Sequence, residues 1–154
     1  MHIRQIQSGE AIQVVRLFDQ YRMFYKQASD IALAQRFLEE RLNNNESVIF
    51  AAFAEVNGTE HAAGFTQLYP KYSSMRASKN WILNDLFVEG AFRKNGIGAA
   101  LIQRAIAFAR ENGATFIQLE TAYDNSTAQR LYEQTGFRQQ PPETEFIVYR
   151  YALV

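Results

Sequence analysis

Arg93-Lys94-Asn95-Gly96-Ile97-Gly98 follows a strand-like run, Trp81–Val88, and opens a stretch in which Ile97, Leu101, Ala105 and Phe108 recur at helical spacing. Two glycines around one apolar residue let the backbone approach a ligand and turn its N–H groups toward it. A helix that begins there aims its positive dipole end at the same point. Strand, glycine turn and helix together make a place to hold a phosphate-bearing cofactor, and the surroundings decide which one. A P-loop ends in Gly-Lys-Ser/Thr, but Ala99-Ala100 follow Gly98, so that reading fails. A Rossmann turn needs a third small residue where this chain has Leu101, and its strand runs closer to the glycines. Dinucleotide binding is therefore a poor runner-up.

Outward from this turn the chain divides into short elements. His2–Ile6 reads as a first strand, and a helix from Ser8 carries Ile12, Val15, Leu17 and Phe18 toward Tyr25. A second helix starts at Ser29 or Asp30 and runs to Leu42, where Asn43-Asn44-Asn45 breaks it. Ser47–Val56 and Glu60–Tyr69 read as strands joined by a turn at Asn57-Gly58. Pro70–Asn80 is polar and reads as irregular. After the helix that closes at Asn112-Gly113, Thr115–Thr121 alternates as a strand and Asn125–Gln134 as a short helix ended by Gly136. A short strand near Phe137–Arg138 and a final one over Glu145–Val154 complete the expectation. No repeat or linker divides residues 1–154, which read as one α+β domain around a mixed sheet.

Composition excludes several chemistries. The 154 residues include no cysteine, which removes disulfides, thiolate metal sites and thioester intermediates on the enzyme. The two histidines, His2 and His61, lie near no nucleophilic serine motif, so a Ser-His-Asp hydrolase is disfavoured. No carboxylate spacing converges with either of them, and no metal is expected. Sixteen basic residues balance sixteen acidic ones, which disfavours nucleic acid as a partner. No apolar run approaches the roughly 20 residues that span a bilayer, and Met1–Gln5 opens no signal-peptide core; no membrane association and a cytoplasmic location are expected.

A second motif reads Asn125-x-x-Ala128-x-x-Leu131-Tyr132-Glu133-x-x-Gly136-Phe137. Ala128, Leu131 and Tyr132 share one helical face, Gly136 suits a left-handed stop and Phe137 returns to the core. Alone, Tyr132 reads as a half-buried core tyrosine. Together with the glycine turn, and with one strand between them, the two motifs resemble the GNAT superfamily of N-acetyltransferases over Trp81–Phe137. That resemblance implies the GNAT fold, a mixed, mostly antiparallel central sheet with helices on both faces, and acetyl-CoA as the acyl donor. It places the pyrophosphate against Arg93, Lys94, Asn95, Gly96, Ile97, Gly98 and Ala99. It lays the pantetheine arm along Leu86, Phe87 and Val88, with Asn125 and Ala128 nearby. It makes Tyr132 the proton donor to the departing thiolate.

Leu83-Asn84-Asp85-Leu86-Phe87-Val88 looks like the strand of the spermidine/spermine and related small-amine or histone-type enzymes. Those enzymes carry a glutamate, proposed as base, before the aspartate. Here Asn84 stands in that place and Asp85 is kept; an amide accepts no proton at neutral pH, so Asn84 is expected to orient water or the amine. Asp85 reads equally as a base and as a carboxylate tied into local hydrogen bonds. The chemistry needs a neutral amine, although alkylamines have a pKa of about 10, and donors for a developing oxyanion. Acceptor contacts are expected from Tyr21 and Tyr25 on the first helix and from Trp81 and Asn84, with core packing the plainer reading for Trp81 and Phe24. Lys71, Arg76 and Lys79 make the Tyr69–Trp81 loop basic, which suits an anionic group better than a polyamine. The resemblance also implies a homodimer, paired through the region of the apolar run Phe146-Ile147-Val148-Tyr149. The expected activity is N-acetylation of a primary amine on a small molecule or protein; a GNAT-fold module that holds acyl-CoA without turnover is the alternative.

Overall fold

A computed structural model describes residues 1–154. In chain order the elements are β1 (His2–Ile6), α1 (Val15–Phe24), α2 (Ile31–Asn43), β2 (Val48–Val56), β3 (Thr59–Ser73), β4 (Ser78–Val88), α3 (Ile97–Glu111), β5 (Ile117–Gln118) and α4 (Ser126–Gln134). Single 3₁₀ turns at Ala11–Gln13 and Gly90–Phe92 precede α1 and the glycine loop. The strands lie side by side in the order β1-β2-β3-β4-β5. The first four pair antiparallel, and β5 runs parallel to β4.

Helices cover both faces of this sheet. The 3₁₀ turn, α1 and α2 bury Ala11, Val15, Leu17, Phe18, Ala34 and Leu38 against Ile49, Phe53 and Phe65. On the opposite face α3 buries Ile97, Leu101, Ile102 and Ala105 against Phe50, Leu68, Trp81 and Leu83. Because both faces are dry, β2 is buried continuously from Ile49 to Phe53 rather than in alternation. Each such side chain contributes about 1.5–3 kcal/mol of transfer free energy, so the two layers hold the sheet from both sides. The α2 start follows the expected chemistry, with the Asp30 carboxylate accepting from Leu33 N–H at 3.0 Å. The first helix begins later than Ser8, whose hydroxyl instead donates to Asn43 Oδ1.

Two irregularities in strand pairing set up the site. Gln67 pairs with Asp85 but Leu68 pairs with Leu83, so Asn84 is an extra residue, a β-bulge in β4. Before the bulge Trp81 and Leu83 face α3; after it Leu86 and Val88 face α3, while Asp85 and Phe87 turn toward α1. The second irregularity is the brevity of β5. It pairs with β4 only at Trp81↔Ile117 and Ile82↔Gln118, and from Leu83 to Val88 the edge of β4 facing β5 has no strand partner.

Three expectations need correction. Pro70–Asn80 is not irregular: β3 and β4 continue through it as a long hairpin that turns between Ser74 and Ala77. Lys79 Nζ caps the Trp81 ring at 4.9 Å and the Tyr72 ring at 5.6 Å, which gives these polar ends cross-strand contacts. The strand expected over Thr115–Thr121 is reduced to Ile117–Gln118, because nothing pairs with its outer edge. The strands expected near Phe137–Arg138 and over Glu145–Val154 are not formed. Pro141-Pro142 supply no N–H and hold the chain extended, and the side-chain hydrogen bonds of the tail are local, from Gln140 to Arg138 and from Glu145 and Phe146 to Glu143.

Candidate active site

The cleft opens where β4 leaves β5, and the glycine loop lies at its end. Lys94 (φ 63°) and Gly96 (φ 78°) both take the left-handed conformation, so the chain reverses sharply into α3. Asn95 Nδ2 braces this turn by donating to the carbonyls of Phe92 (3.1 Å) and Arg93 (3.2 Å). Gly96 caps α3 with no side chain over the helix end, and the first hydrogen bond it accepts comes from Ala100 N–H at 3.0 Å. The N–H groups of Ile97, Gly98 and Ala99 therefore point out of the helix end without protein acceptors, as an anion site requires. Arg93 Nε donates to Val88 O at 2.9 Å and its guanidinium lies 5.6 Å from the Phe87 ring, which ties the loop to the end of β4. A strut from α1 fixes the other side: Arg16 Nη1 and His61 Nε2 hold the two oxygens of Glu89 at 2.8 and 2.9 Å. Burial would raise the Glu89 pKa, but the hydrogen bonds from His61 and Arg16 outweigh it and hold the carboxyl below its usual range.

Asp85 lies on β4 just past the bulge, turned toward α1, and is 3% exposed. Gln67 Nε2 donates to its Oδ2 at 2.5 Å and Asn84 Nδ2 to its Oδ1 at 2.9 Å, and the Tyr21 hydroxyl faces the same carboxyl. Burial pushes the Asp85 pKa up, and these three donors pull against it without cancelling the rise. Thr66 Oγ1 donates to the Asp85 carbonyl at 2.8 Å and fixes the backbone beside the bulge. Tyr21 stands edge-on to Tyr25 (5.0 Å between ring centres) and to Phe87 (6.4 Å). Its hydroxyl is kept protonated by burial first, then by Asp85, Tyr25 and Tyr132. Tyr132, on α4, packs against Phe137 at 6.0 Å, and burial with neighbouring Tyr25 raises its pKa. Asp85, Tyr21, Tyr25 and Tyr132 thus lie together between β4 and α4, one carboxyl and three tyrosine rings, beside the unpaired edge of β4.

Most sequence-expected residues gather here, with three differences in role. Trp81, expected among the acceptor contacts, is a core residue: it is 5% exposed, packs on Phe108 at 5.0 Å and lies on the α3 face, opposite Asp85. Asn125 caps α4, its Oδ1 accepting from Ala128 N–H at 3.1 Å, so that oxygen is already engaged. Gly98, expected to be glycine for close ligand approach, has a second reason for lacking a side chain: a Cβ there would meet Leu131 Cδ2 at 3.3 Å and Val88 Cγ2 at 3.9 Å. Its lack of a side chain serves the packing of α3 on α4. Phe24, read as core, is exposed. Lys71 and Lys79 sit at the far end of the β3–β4 hairpin, six residues of strand beyond Asp85 in the case of Lys79, which is about 20 Å.

Three residues that sequence reasoning missed help to build the site. Gln67 orients Asp85, and its Oε1 is buried without a protein partner. Asn80 Oδ1 accepts from Thr115 N–H (2.8 Å), Thr115 Oγ1 (3.1 Å) and Phe116 N–H (3.2 Å), which pins the start of β5 to β4. Gly64 lies under Phe87, where a Cβ would be 2.9 Å from the Phe87 carbonyl oxygen. A glycine inside a strand signals such an approach in principle, but its partner is not visible from the sequence.

Comparison with known proteins agrees with this geometry. The Acetyltransferase (GNAT) family profile matches residues 14–137. The chain is 45% identical over 149 residues to an uncharacterized N-acetyltransferase of Bacillus subtilis, YhfO, covering 97% of this chain and 95% of that one. It is 34% identical over 130 residues to a probable acetyltransferase of Haemophilus influenzae, covering 84% and 85%. Among solved structures, that of a probable acetyltransferase superposes with a TM-score of 0.86 at 36% identity, over 100% of this chain and 99% of the other. With the family match spanning both motifs and the split between β4 and β5, the chain belongs to the GNAT family of acetyltransferases.

Proposed function

We propose that this chain transfers an acetyl group from acetyl-CoA directly to a primary amine, preferentially one on a small molecule such as a polyamine, an amino acid or a related amine. A lysine or N-terminal amine of a protein is the other acceptor of the same chemistry. The observation that carries this reading is the meeting, in one cleft, of the unpaired β4 edge, the open N-terminus of α3 and the group Asp85, Tyr21, Tyr25 and Tyr132. The free N–H groups at Ile97–Ala99 suit a pyrophosphate, and the Leu83–Val88 edge suits an extended amide-bearing arm that pairs like a strand. The basic hairpin end lies away from Asp85, so its charge does not oppose a cationic acceptor, and tyrosine faces with a carboxyl attract an ammonium group.

Acetyl-CoA supplies the thioester carbon that the amine attacks and the thiolate that leaves. Asp85, its basicity raised by burial, accepts the proton that the ammonium must lose, and Gln67, Asn84 and Tyr21 keep its carboxyl oriented. Backbone N–H groups along Leu86–Val88 are placed to receive the developing oxyanion. Tyr132 stays protonated because it is buried, and gives its proton to the thiolate. In the same reading the chain works in the cytoplasm as a homodimer; none of its helices is long and apolar enough to cross a membrane.

A thiol-release assay with acetyl-CoA across polyamines, amino acids, other small amines and lysine peptides tests the proposal. Turnover should concentrate on the small amines, and Tyr132→Phe should lower kcat about 10²-fold with the acetyl-CoA KM little changed. Tight acetyl-CoA binding without thiol release on any amine would make the chain a silent acyl-CoA module instead. Unchanged kcat in the variant would remove Tyr132 from the acid role.

A further inference from the structure

Between β4 and α3 the glycine loop is held to the rest of the molecule through side chains. Glu89 N–H donates to Ala63 O at 2.9 Å, one step beyond the last ladder pair, Gly64↔Val88. From Gly90 to Asn95 the backbone bonds only within its own turn, Phe92 N–H to Glu89 O at 2.9 Å and Arg93 N–H to Gly90 O at 3.4 Å. Where backbone pairing stops, a side-chain network begins. Arg16 Nη1 and Nη2 donate to the two Glu89 carboxylate oxygens at 2.8 and 3.3 Å, and the same Nη2 donates to Ala62 O at 3.1 Å. His61 Nε2 lies 2.9 Å from Glu89 Oε2 and 3.0 Å from Arg16 Nη2, which closes the network. The His61 ring also stacks on Phe92, at the other end of the turn, with 5.5 Å between centres and 28° between planes.

A single exposed ion pair adds little to stability and needs no explanation. A two-pronged arginine grip with a third acceptor and a ring stack, set at the root of the loop, fixes geometry instead. Arg16 stands near the start of α1, and Tyr21 follows about 7.5 Å along the same axis, where its ring meets Phe87 and its hydroxyl faces Asp85. One helix therefore touches the root of the glycine loop at one point and the carboxyl of the cleft at another. We infer that Arg16, through Glu89 and with His61, positions the glycine loop for acetyl-CoA, so that cofactor affinity is set from α1 as well as by the loop. The inference rests on the acetyl-CoA reading above. None of the three is a catalytic residue; they act through the path the chain takes from Glu89 to Arg93. The link works in both directions: if α1 steadies the loop, a cofactor that steadies the loop steadies α1.

Coenzyme A is the probe, because it binds without turnover. Isothermal titration should give a Kd raised about 10-fold in Arg16→Met and in Glu89→Gln, and by about the same factor in the double variant, since each breaks one unit. With acetyl-CoA and an amine that the parent chain turns over, the acetyl-CoA KM should rise in step while kcat at saturation changes by less than about twofold. Amide exchange across Val15–Phe24 should slow when coenzyme A is added to the parent chain, and not in Glu89→Gln. Arg4→Met is the control: it breaks a similar pair, Arg4–Glu10 at 3.0 Å, on the opposite edge of the sheet, and should keep the parent Kd. A parent chain that does not bind coenzyme A overturns the acetyl-CoA reading and the inference together. Binding by the parent with unchanged Kd in both variants overturns the inference alone. So do costs that add in the double variant, an equal rise in Arg4→Met, or α1 exchange that ignores coenzyme A. Glu89→Gln keeps the side-chain shape and one acceptor oxygen, so the test stands on it if Arg16→Met does not fold.

Discussion

Gly64→Ala tests whether the position of β4 controls the cleft. Gly64 is buried in β3, and an added Cβ would lie 2.9 Å from the Phe87 carbonyl oxygen, 3.3 Å from Ile97 Cγ2 and 3.3 Å from Leu101 Cδ1. Favourable carbon contacts fall near 3.5–4.0 Å, so the strand must move by about 0.5 Å. The two side chains can adjust in part, but the carbonyl belongs to the backbone of β4 and has no rotamer to change. Overpacking of this kind costs about 1–3 kcal/mol. Replacing glycine by alanine returns about 0.5–1 kcal/mol through the unfolded chain, leaving a net loss of about 0–2.5 kcal/mol, centred near 1 kcal/mol. At this chain length each kcal/mol moves Tm by about 2–4 °C, so the Tm followed by circular dichroism should fall by about 2–4 °C at the centre of that range. Because Phe87 lies in the segment proposed to run beside the pantetheine arm, the KM for acetyl-CoA should rise in the same variant. A Tm equal to or above that of the parent chain, with unchanged KM, would refute both the clash and its connection to the cleft.

Two further substitutions probe the proposed base and the hinge of the cleft. Asp85→Asn should lower kcat/KM about 10²–10⁴-fold and remove the rise of activity with pH that follows ionisation of a carboxyl held above its usual value of 3.8. The stability sign is opposite: a folded-state pKa above the unfolded one makes the native chain hold its proton longer, so stability is greatest below the unfolded value and declines as pH rises through the folded one. The Asn variant should lack that decline in a series of Tm against pH, and an unchanged pH–rate profile would exclude Asp85 as the base. Asn80→Ala leaves the donors of Thr115 and Phe116 without their acceptor and should cost about 1–3 kcal/mol in urea unfolding, with faster amide exchange at Ile117 and Gln118. Unaltered exchange there would show that Asn80 does not hold β5.

The parts legible in the sequence were those written in local chemistry. The Gly96-Ile97-Gly98 turn, the start of α2 near Asp30, the Gly136 stop and the spacing of the α3 apolar stripe each depend on residues close together in the chain. Their order along the chain was enough to find the phosphate loop and the Tyr132 helix. Long-range pairing was not legible in the same way. Trp81 reads as an acceptor contact with core packing the plainer reading, and whether it shares a face of β4 with Asp85 depends on a bulge three residues later. Gln67 and Asn80 carry no local signal; their partners, Asp85 and Thr115, are distant in sequence. The tail shows the same limit: its strand-like composition is local, and no strand pairing forms for it in the chain.

The bulge at Asn84 has one more consequence. It resets the phase of the strand, so every side chain from Asp85 onward faces the opposite layer from the one a two-residue rhythm would assign. Loss of that one residue would turn the carboxyl of Asp85 into the apolar layer under α3 and send Leu86 and Val88 to the acceptor side. The backbone edge of the strand would be nearly unaltered by comparison. Length at position 84 is therefore a stricter requirement than identity there, and asparagine can replace an acid as long as something occupies the place.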